Sequence, residues 1–176
     1  MEEFYEKQIS SETVFRGKVV DVSVDKALLK NGQTAYRDVV HHKGGVVIVA
    51  KEGDKIILVS QYRYPINQPL RELPAGKLDR IDEDVLAAAQ RELKEETGYS
   101  ADTWQNLGFV YSTPGFCNEK LHLFLAQDLH SGEQSLDDDE FINCEFVEIS
   151  EIKKMIKNNE ITDAKTICAV ARAFLL

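Results

Sequence analysis

Two apolar runs, Gly45-Val-Val-Ile-Val-Ala50 and Lys55-Ile-Ile-Leu-Val-Ser60, are split by Glu52-Gly53-Asp54. Runs this short, rich in β-branched residues and without polar alternation, read as strands buried on both faces. A glycine-bearing break between them makes a hairpin. The chain must therefore build a sheet around this hairpin and cover it with other elements.

The remaining pattern supplies those elements. Val14, Val19, Val20, Val22 and Val24 cluster over 14–29, Asn31-Gly32 marks a tight turn, and a further strand is predicted over 34–42. This reads as an N-terminal hairpin. A loop-rich segment, 64–82, precedes a helix over 83–97, and strands are predicted over 105–112, 120–127 and 141–148. Two helices close the chain, one over 150–158 capped by Ser150 and one over 163–175 with Ile167, Val170, Ala171 and Phe174 on one stripe. The order predicts an α/β chain in which helices cover a mixed sheet. At 176 residues it is one domain by size, with no internal repeat.

Charge and composition narrow the function. A net charge of -9 excludes a protein that grips an extended nucleic-acid backbone, which needs clustered Lys and Arg. It leaves room for a small phosphorylated substrate if metal ions neutralise the site locally. Cys117, Cys144 and Cys168 have neither CxxC nor zinc spacing and read as reduced thiols. His41, His42, His122 and His130 show no ligand spacing. The first residues lack the basic-then-apolar pattern of a secretion signal, and no apolar run reaches bilayer length, so a cytoplasmic protein with no membrane partner is expected.

The helix over 83–97 carries the chemistry. Glu92, Glu95 and Glu96 fall on one side at 3.6 residues per turn, while Leu86, Ala89 and Leu93 form a stripe that can face a core. Clustered like charges repel on a helix, and hard divalent ions are the usual compensation. A solvated acidic face is the plain alternative. Pro74-Ala75-Gly76 before the helix and Gly98 at its C-cap argue against it.

From Gly76 to Tyr99 the chain resembles the Nudix box: Gly, five residues, Glu, seven residues, then Arg-Glu-apolar-x-Glu-Glu-x-Gly-apolar. Arg91-Glu-Leu-Lys-Glu-Glu-Thr-Gly-Tyr99 matches throughout, whereas six residues instead of five separate Gly76 from Glu83. Counting back from Arg91 selects Glu83 and implies a one-residue insertion, although Asp82 stands at the usual distance. Ser60-Gln-Tyr-Arg-Tyr-Pro65, Arg71-Glu-Leu-Pro-Ala-Gly76 and Ser112-Thr-Pro-Gly-Phe116 are similar to the ADP-ribose pyrophosphatase branch, which commonly places a proline about where Pro114 lies.

The resemblance implies an α/β/α sandwich with a mixed sheet over 43–176, and an N-terminal β extension over 1–42 through which that branch forms homodimers. It implies Mg²⁺, or Mn²⁺, held by Glu92, Glu96 and Glu95 with the backbone carbonyl of Ala75. Arg91 and Glu83 would pair and orient the site, which requires the chain before the helix to fold back. It places a catalytic base in the segment 135–141, with Glu140 first, Asp139 second, and Glu95 if neither serves. Arg63 would clamp a phosphate, Arg37 would reach the adenosine or terminal ribose, and Glu72 and Phe116 would line the pocket. The implied reaction is hydrolysis of ADP-ribose to AMP and ribose 5-phosphate. Another nucleoside diphosphate sugar or a dinucleotide such as GDP-mannose or NADH is the alternative substrate, and a non-catalytic ADP-ribose sensor is the alternative function.

Overall fold

The computed structural model describes residues 5–136 and 140–175. The chain forms two compact units, one comprising the chain up to Gly44 with Tyr111–Lys120, the other Gly45–Val110 with the chain from Leu121 onward.

The first unit is an antiparallel meander of β1 (Lys7–Arg16), β2 (Asp21–Leu28) and β3 (Thr34–His41). The expected Asn31-Gly32 turn is present: Gly32 adopts φ 81° and donates its N–H to Leu29 O at 2.9 Å. The two-stranded N-terminal hairpin, however, is corrected. The run over 14–29 is broken by a turn in which Gly17 N donates to Val20 O at 3.0 Å, and residues 7–16 form a strand of their own. That strand is exposed along its whole length, so it carries no apolar alternation to betray it. The segment after Tyr111 runs along β3, with Val40 N donating to Phe116 O at 2.7 Å and Asn118 N to Val40 O at 3.1 Å.

The second unit is built on β4 (Gly45–Glu52) and β5 (Lys55–Arg63), the predicted central hairpin. They belong to a seven-stranded sheet with order β10-β5-β4-β9-β8, where β8 is Tyr99–Tyr111, β9 Lys120–Ser131 and β10 Asn143–Glu148. Two short strands, β6 (Gln68–Glu72) and β7 (Ala75–Lys77), pair with β5 and β4 inside the segment predicted as loop. The β4–β9 pairing is parallel and the β4–β5 pairing antiparallel, so the sheet is mixed.

Alternation along β4 explains the layers. Val46, Ile48 and Ala50 pack with Ala88, Ala89 and Leu93 of α1 (Val85–Thr97). Val47 and Val49 pack with Ile152 and Met155 of α2 (Ile149–Lys157) and with Ala169 and Val170 of α3 (Ala164–Phe174). The sheet is thus covered on both faces, as the α/β/α expectation required. Each fully buried aliphatic side chain here stabilises the fold by about 1.5–3 kcal/mol.

Several element boundaries and one stripe differ from the sequence reading. Helix α1 starts two residues late because Asp84 acts as its N-cap, accepting from Ala87 N at 2.8 Å, which leaves Glu83 outside the helix. Leu86, assigned to the buried stripe, is partly exposed, and the two small alanines at 88 and 89 bring the helix close to the sheet instead. Helix α2 begins at Ile149, whose N–H is taken by Asp54 O at 2.9 Å, so Ser150 lies inside the helix and does not cap it. Strand β8 starts directly after Gly98, much earlier than residue 105. No helix among the described residues is long and apolar enough to cross a membrane.

Candidate functional site

Gly98 ends α1 with φ 75° and its N–H donating to Lys94 O at 2.8 Å, the left-handed cap that glycine accommodates without strain. The last two turns before it carry the glutamates. Glu96 is buried at 3% exposure, and its Oε2 accepts the backbone N–H of Ala75 at 2.9 Å. Glu92 lies against Gly76 so closely that a Cβ at position 76 would fall 1.8 Å from the Glu92 carboxyl carbon. The Pro-Ala-Gly turn is therefore a seat for these two side chains, and glycine is the residue that leaves room for it.

Arg91 gathers the remaining acids. Its Nη1 donates to Glu92 at 2.8 Å and to Glu95 at 3.0 Å, while Nη2 stands 3.5 Å from Glu83 and 3.8 Å from Asp79. The fold-back that an Arg91–Glu83 pair required is present: Asp79 N donates to Glu83 Oε2 at 2.7 Å, and Glu83 N to Arg80 O at 3.2 Å. Asp82 pairs with Arg80 on the surface.

Burial and mutual repulsion shape the electrostatics. Desolvation pushes Glu96 up to about 8, and the charges of Glu92 and Glu140 add to that push. Glu92 is likewise raised, first by burial and then by Glu95 and Glu140, with Arg91 opposing. Glu140 is exposed, and its charge adds to the upward shift of both Glu92 and Glu96. Asp139, the second choice of base, lies outside the described residues.

Among the described residues no three acidic, His or Cys side chains stand preassembled as a ligand set, because Arg91 spans Glu92 and Glu95 while Glu96 turns to Ala75 N. The donor chemistry nevertheless fits a hard divalent cation, since the side chains are carboxylates and those of Glu92 and Glu96 are held at raised proton affinity, first by burial and then by neighbouring negative charge. A cation would relieve that repulsion.

Arg63 and Glu72 are brought together. Glu72 is 1% exposed and accepts from Arg63 Nε and Nη2 at 2.6 Å each. Burial raises the Glu72 carboxyl, but the Arg63 hydrogen bonds and the Lys165 charge outweigh it, and the net shift is below the ordinary value. Lys165, Asp163 and Thr166 on α3 complete this cluster; they are 91 or more residues from Glu72, so no local sequence signal points to them.

Arg37 and Phe116 belong to the first unit. There they line an open cleft of about 330 Å³ with Tyr111 and Pro114. Arg37 also pairs with Glu6 at 2.8 Å.

Sequence reading also missed the anchors at the end of α1. Ser135 N donates to Glu95 O at 3.0 Å, and both Gln134 Nε2 and Cys144 Sγ donate to Glu96 O. Burial pushes the Cys144 thiol up to about 11, so it serves as a hydrogen-bond donor and not as a nucleophile.

Comparison with known proteins places the chain among relatives of similar length. It is 41% identical over 170 residues to a methanol dehydrogenase activator of Bacillus methanolicus, covering 95% of this chain and 91% of the relative. It is 39% identical over 173 residues to an ADP-ribose pyrophosphatase of Bacillus subtilis, covering 97% and 93%. The fold matches a crystal structure described as an ADP compounds hydrolase, with a TM-score of 0.84, 22% identity, and coverage of 96% and 91%. The pattern of the NUDIX domain matches residues 40–170, and on that span the chain belongs to the NUDIX family.

Proposed function

We propose that this protein hydrolyses the pyrophosphate bond of ADP-ribose to AMP and ribose 5-phosphate with Mg²⁺ as its metal ion. The observation that carries the reading is the seating of Glu92 against Gly76 and of Glu96 on the Ala75 N–H, with Arg91 bridging Glu92 and Glu95 beside the same turn. The substrate choice draws on the likeness to the Bacillus subtilis ADP-ribose pyrophosphatase along nearly the full length of both chains.

Hydrolysis of a pyrophosphate needs an activated water and neutralised phosphoryl oxygens, and a bound divalent ion supplies both kinds of assistance. Glu92 and Glu96 are the principal ligands in this reading, Glu95 contributes, and the Ala75 carbonyl completes the set. Arg91 is the local counter-charge that keeps Glu92 and Glu95 in place, and Glu83 orients Arg91 from outside the helix. Glu140 accepts the proton of the attacking water in this reading, an assignment supported by its exposure and by the action of its charge on Glu92 and Glu96. Arg63, at the end of β5, clamps a phosphate. Arg37 and Phe116 offer a cation and an aromatic face of the kind that recognises a nucleoside, and the N-terminal sheet (1–42 by the sequence reading) serves in a homodimer.

Relatives at about 40% identity carry different printed names, so a dinucleotide or another nucleoside diphosphate sugar is a second reading of the same site. Product analysis decides between them: ADP-ribose, ADP-glucose, GDP-mannose, NADH and a diadenosine polyphosphate, each with and without Mg²⁺, with Glu96→Gln as control. Release of AMP and ribose 5-phosphate fastest, and only with metal and intact Glu96, supports the proposal. Faster cleavage of another compound overturns the substrate, and binding of ADP-ribose without cleavage favours a sensor.

A further inference from the structure

Two cations converge on the carboxylate of Glu72, and they are not equivalent. Arg63 reaches it from the end of β5 with a side chain 37% exposed, whereas Lys165 reaches it from the first turn of α3 with 16% exposed. Lys165 is fixed a second time by Asp163 Oδ1 at 2.9 Å. Asp163 is in turn the N-cap of α3, its Oδ2 accepting from Thr166 N at 3.0 Å and from Thr166 Oγ1 at 2.6 Å. Thr166 Oγ1 accepts the N–H of Leu73 at 2.9 Å, so α3 is fastened to the residue that follows Glu72. Lys165 is thus rooted between two acids, while among the described residues Arg63 donates its hydrogen bonds to Glu72 and is the more exposed of the two cations. The Arg63 charge also acts on Glu96, which places it within electrostatic reach of the glutamate cluster.

A buried carboxylate that loses its counter-charge is strongly penalised, because nothing replaces the water it gave up. With Arg63 alone as partner, Glu72 would hold the guanidinium in place against any competing anion. With Lys165 also present, the carboxylate remains neutralised when Arg63 departs. We propose that Lys165 is a positioning residue that frees Arg63 from Glu72 to engage a phosphate oxygen of the substrate. The proposal rests on the pyrophosphatase reading above. No covalent step is involved; one guanidinium exchanges a carboxylate for a phosphate, and the lysine holds the vacated carboxylate.

The test is steady-state turnover of ADP-ribose with saturating MgCl₂, reading AMP, in wild type, Lys165→Met, Lys165→Arg, Glu72→Gln and the double variant Glu72→Gln/Lys165→Met. Because the clamp holds substrate and transition state alike, its loss should appear in KM. Lys165→Met should raise KM about tenfold or more with kcat within about threefold, and Lys165→Arg should keep KM within about threefold of wild type. Adding Glu72→Gln to Lys165→Met should bring KM back toward wild type, since no buried charge then retains Arg63. A merely structural lysine would give a lower melting temperature with KM unmoved, or a raised KM that Glu72→Gln does not relieve, and either result overturns the proposal. If Lys165→Met does not fold, Lys165→Gln keeps a hydrogen bond without the charge and the same comparison applies. A wild type that cleaves no nucleoside diphosphate compound overturns the pyrophosphatase reading and this inference with it. Wild-type cleavage with KM unmoved in Lys165→Met or Lys165→Gln overturns this inference alone.

Discussion

The backbone N–H of Ala75 donates to Glu96 Oε2 at 2.9 Å, joining a three-residue strand to the last turn of α1. This bond gives a buried carboxylate one polar partner, but burial and the charges of Glu92 and Glu140 still leave it at about 8.

A pH dependence of the metal-free protein follows. The folded state binds the Glu96 proton more tightly than the unfolded chain, whose glutamates sit near 4.5, so the stabilising contribution is complete below that value and is lost as pH rises toward and through about 8. Thermal unfolding in EDTA should show a melting temperature that declines between pH 5 and about 8. Glu96→Gln should flatten that decline, keep the fold, and lower turnover by about two orders of magnitude or more. A flat profile in the wild type would remove the electrostatic basis of the site.

Gly76→Ala separates seating from folding. The added methyl meets the flexible end of Glu92, which can move aside, so stability should change by only about 1 kcal/mol. Glu92 would leave its seat, and turnover at saturating Mg²⁺ should fall about tenfold or more. Wild-type kinetics in this variant would show that the seat of Glu92 is immaterial.

Arg91→Ala strips Glu92 and Glu95 of their shared counter-charge and releases Glu83. The ion-free protein should lose about 1.5–3 kcal/mol, the scale of hydrogen bonds to charged groups. Denaturant unfolding with and without Mg²⁺ checks this, and the loss should shrink when the ion is present. An equal loss in both conditions would argue that Arg91 does not compete with a cation for these carboxylates.

Glu140→Gln should lower kcat about 10²–10⁴-fold, as expected when a proton acceptor is removed. Mg²⁺ affinity, read by titration calorimetry, should change far less than kcat, because Glu140 is not among the proposed ligands and acts on Glu92 and Glu96 only through its charge. Near-normal kcat would move the base to Glu95 or to Asp139.

Periodicity made the second unit legible. The unbroken apolar runs of β4 and β5 fixed a covered hairpin, and the 3.6-residue spacing of Glu92 and Glu96 placed both on one side of a helix. Strand β1 was invisible because a wholly exposed strand has no alternation to read. The half-buried lysine at 165 was equally hidden, since pairing with Glu72 across 93 residues is a property of the folded chain. The Arg91–Glu83 pair was implied by the family resemblance and not by spacing, since eight residues span more than two helical turns, and the turn at Arg80 that brings Glu83 back carried no signal of its own.

The carbonyls of Glu95 and Glu96 hold Ser135, Gln134 and Cys144, while the side chains of the same two residues point into the site. One helical turn thus holds the carboxylates by its side chains and the strand-to-strand crossing by its backbone. For protein engineering, the residues Gln134 and Ser135 after β9 and Cys144 in β10 are not freely exchangeable. Replacing them to alter selectivity would also cut the moorings of the carboxylate helix, so a graft must carry its own donors to the carbonyls of residues 95 and 96.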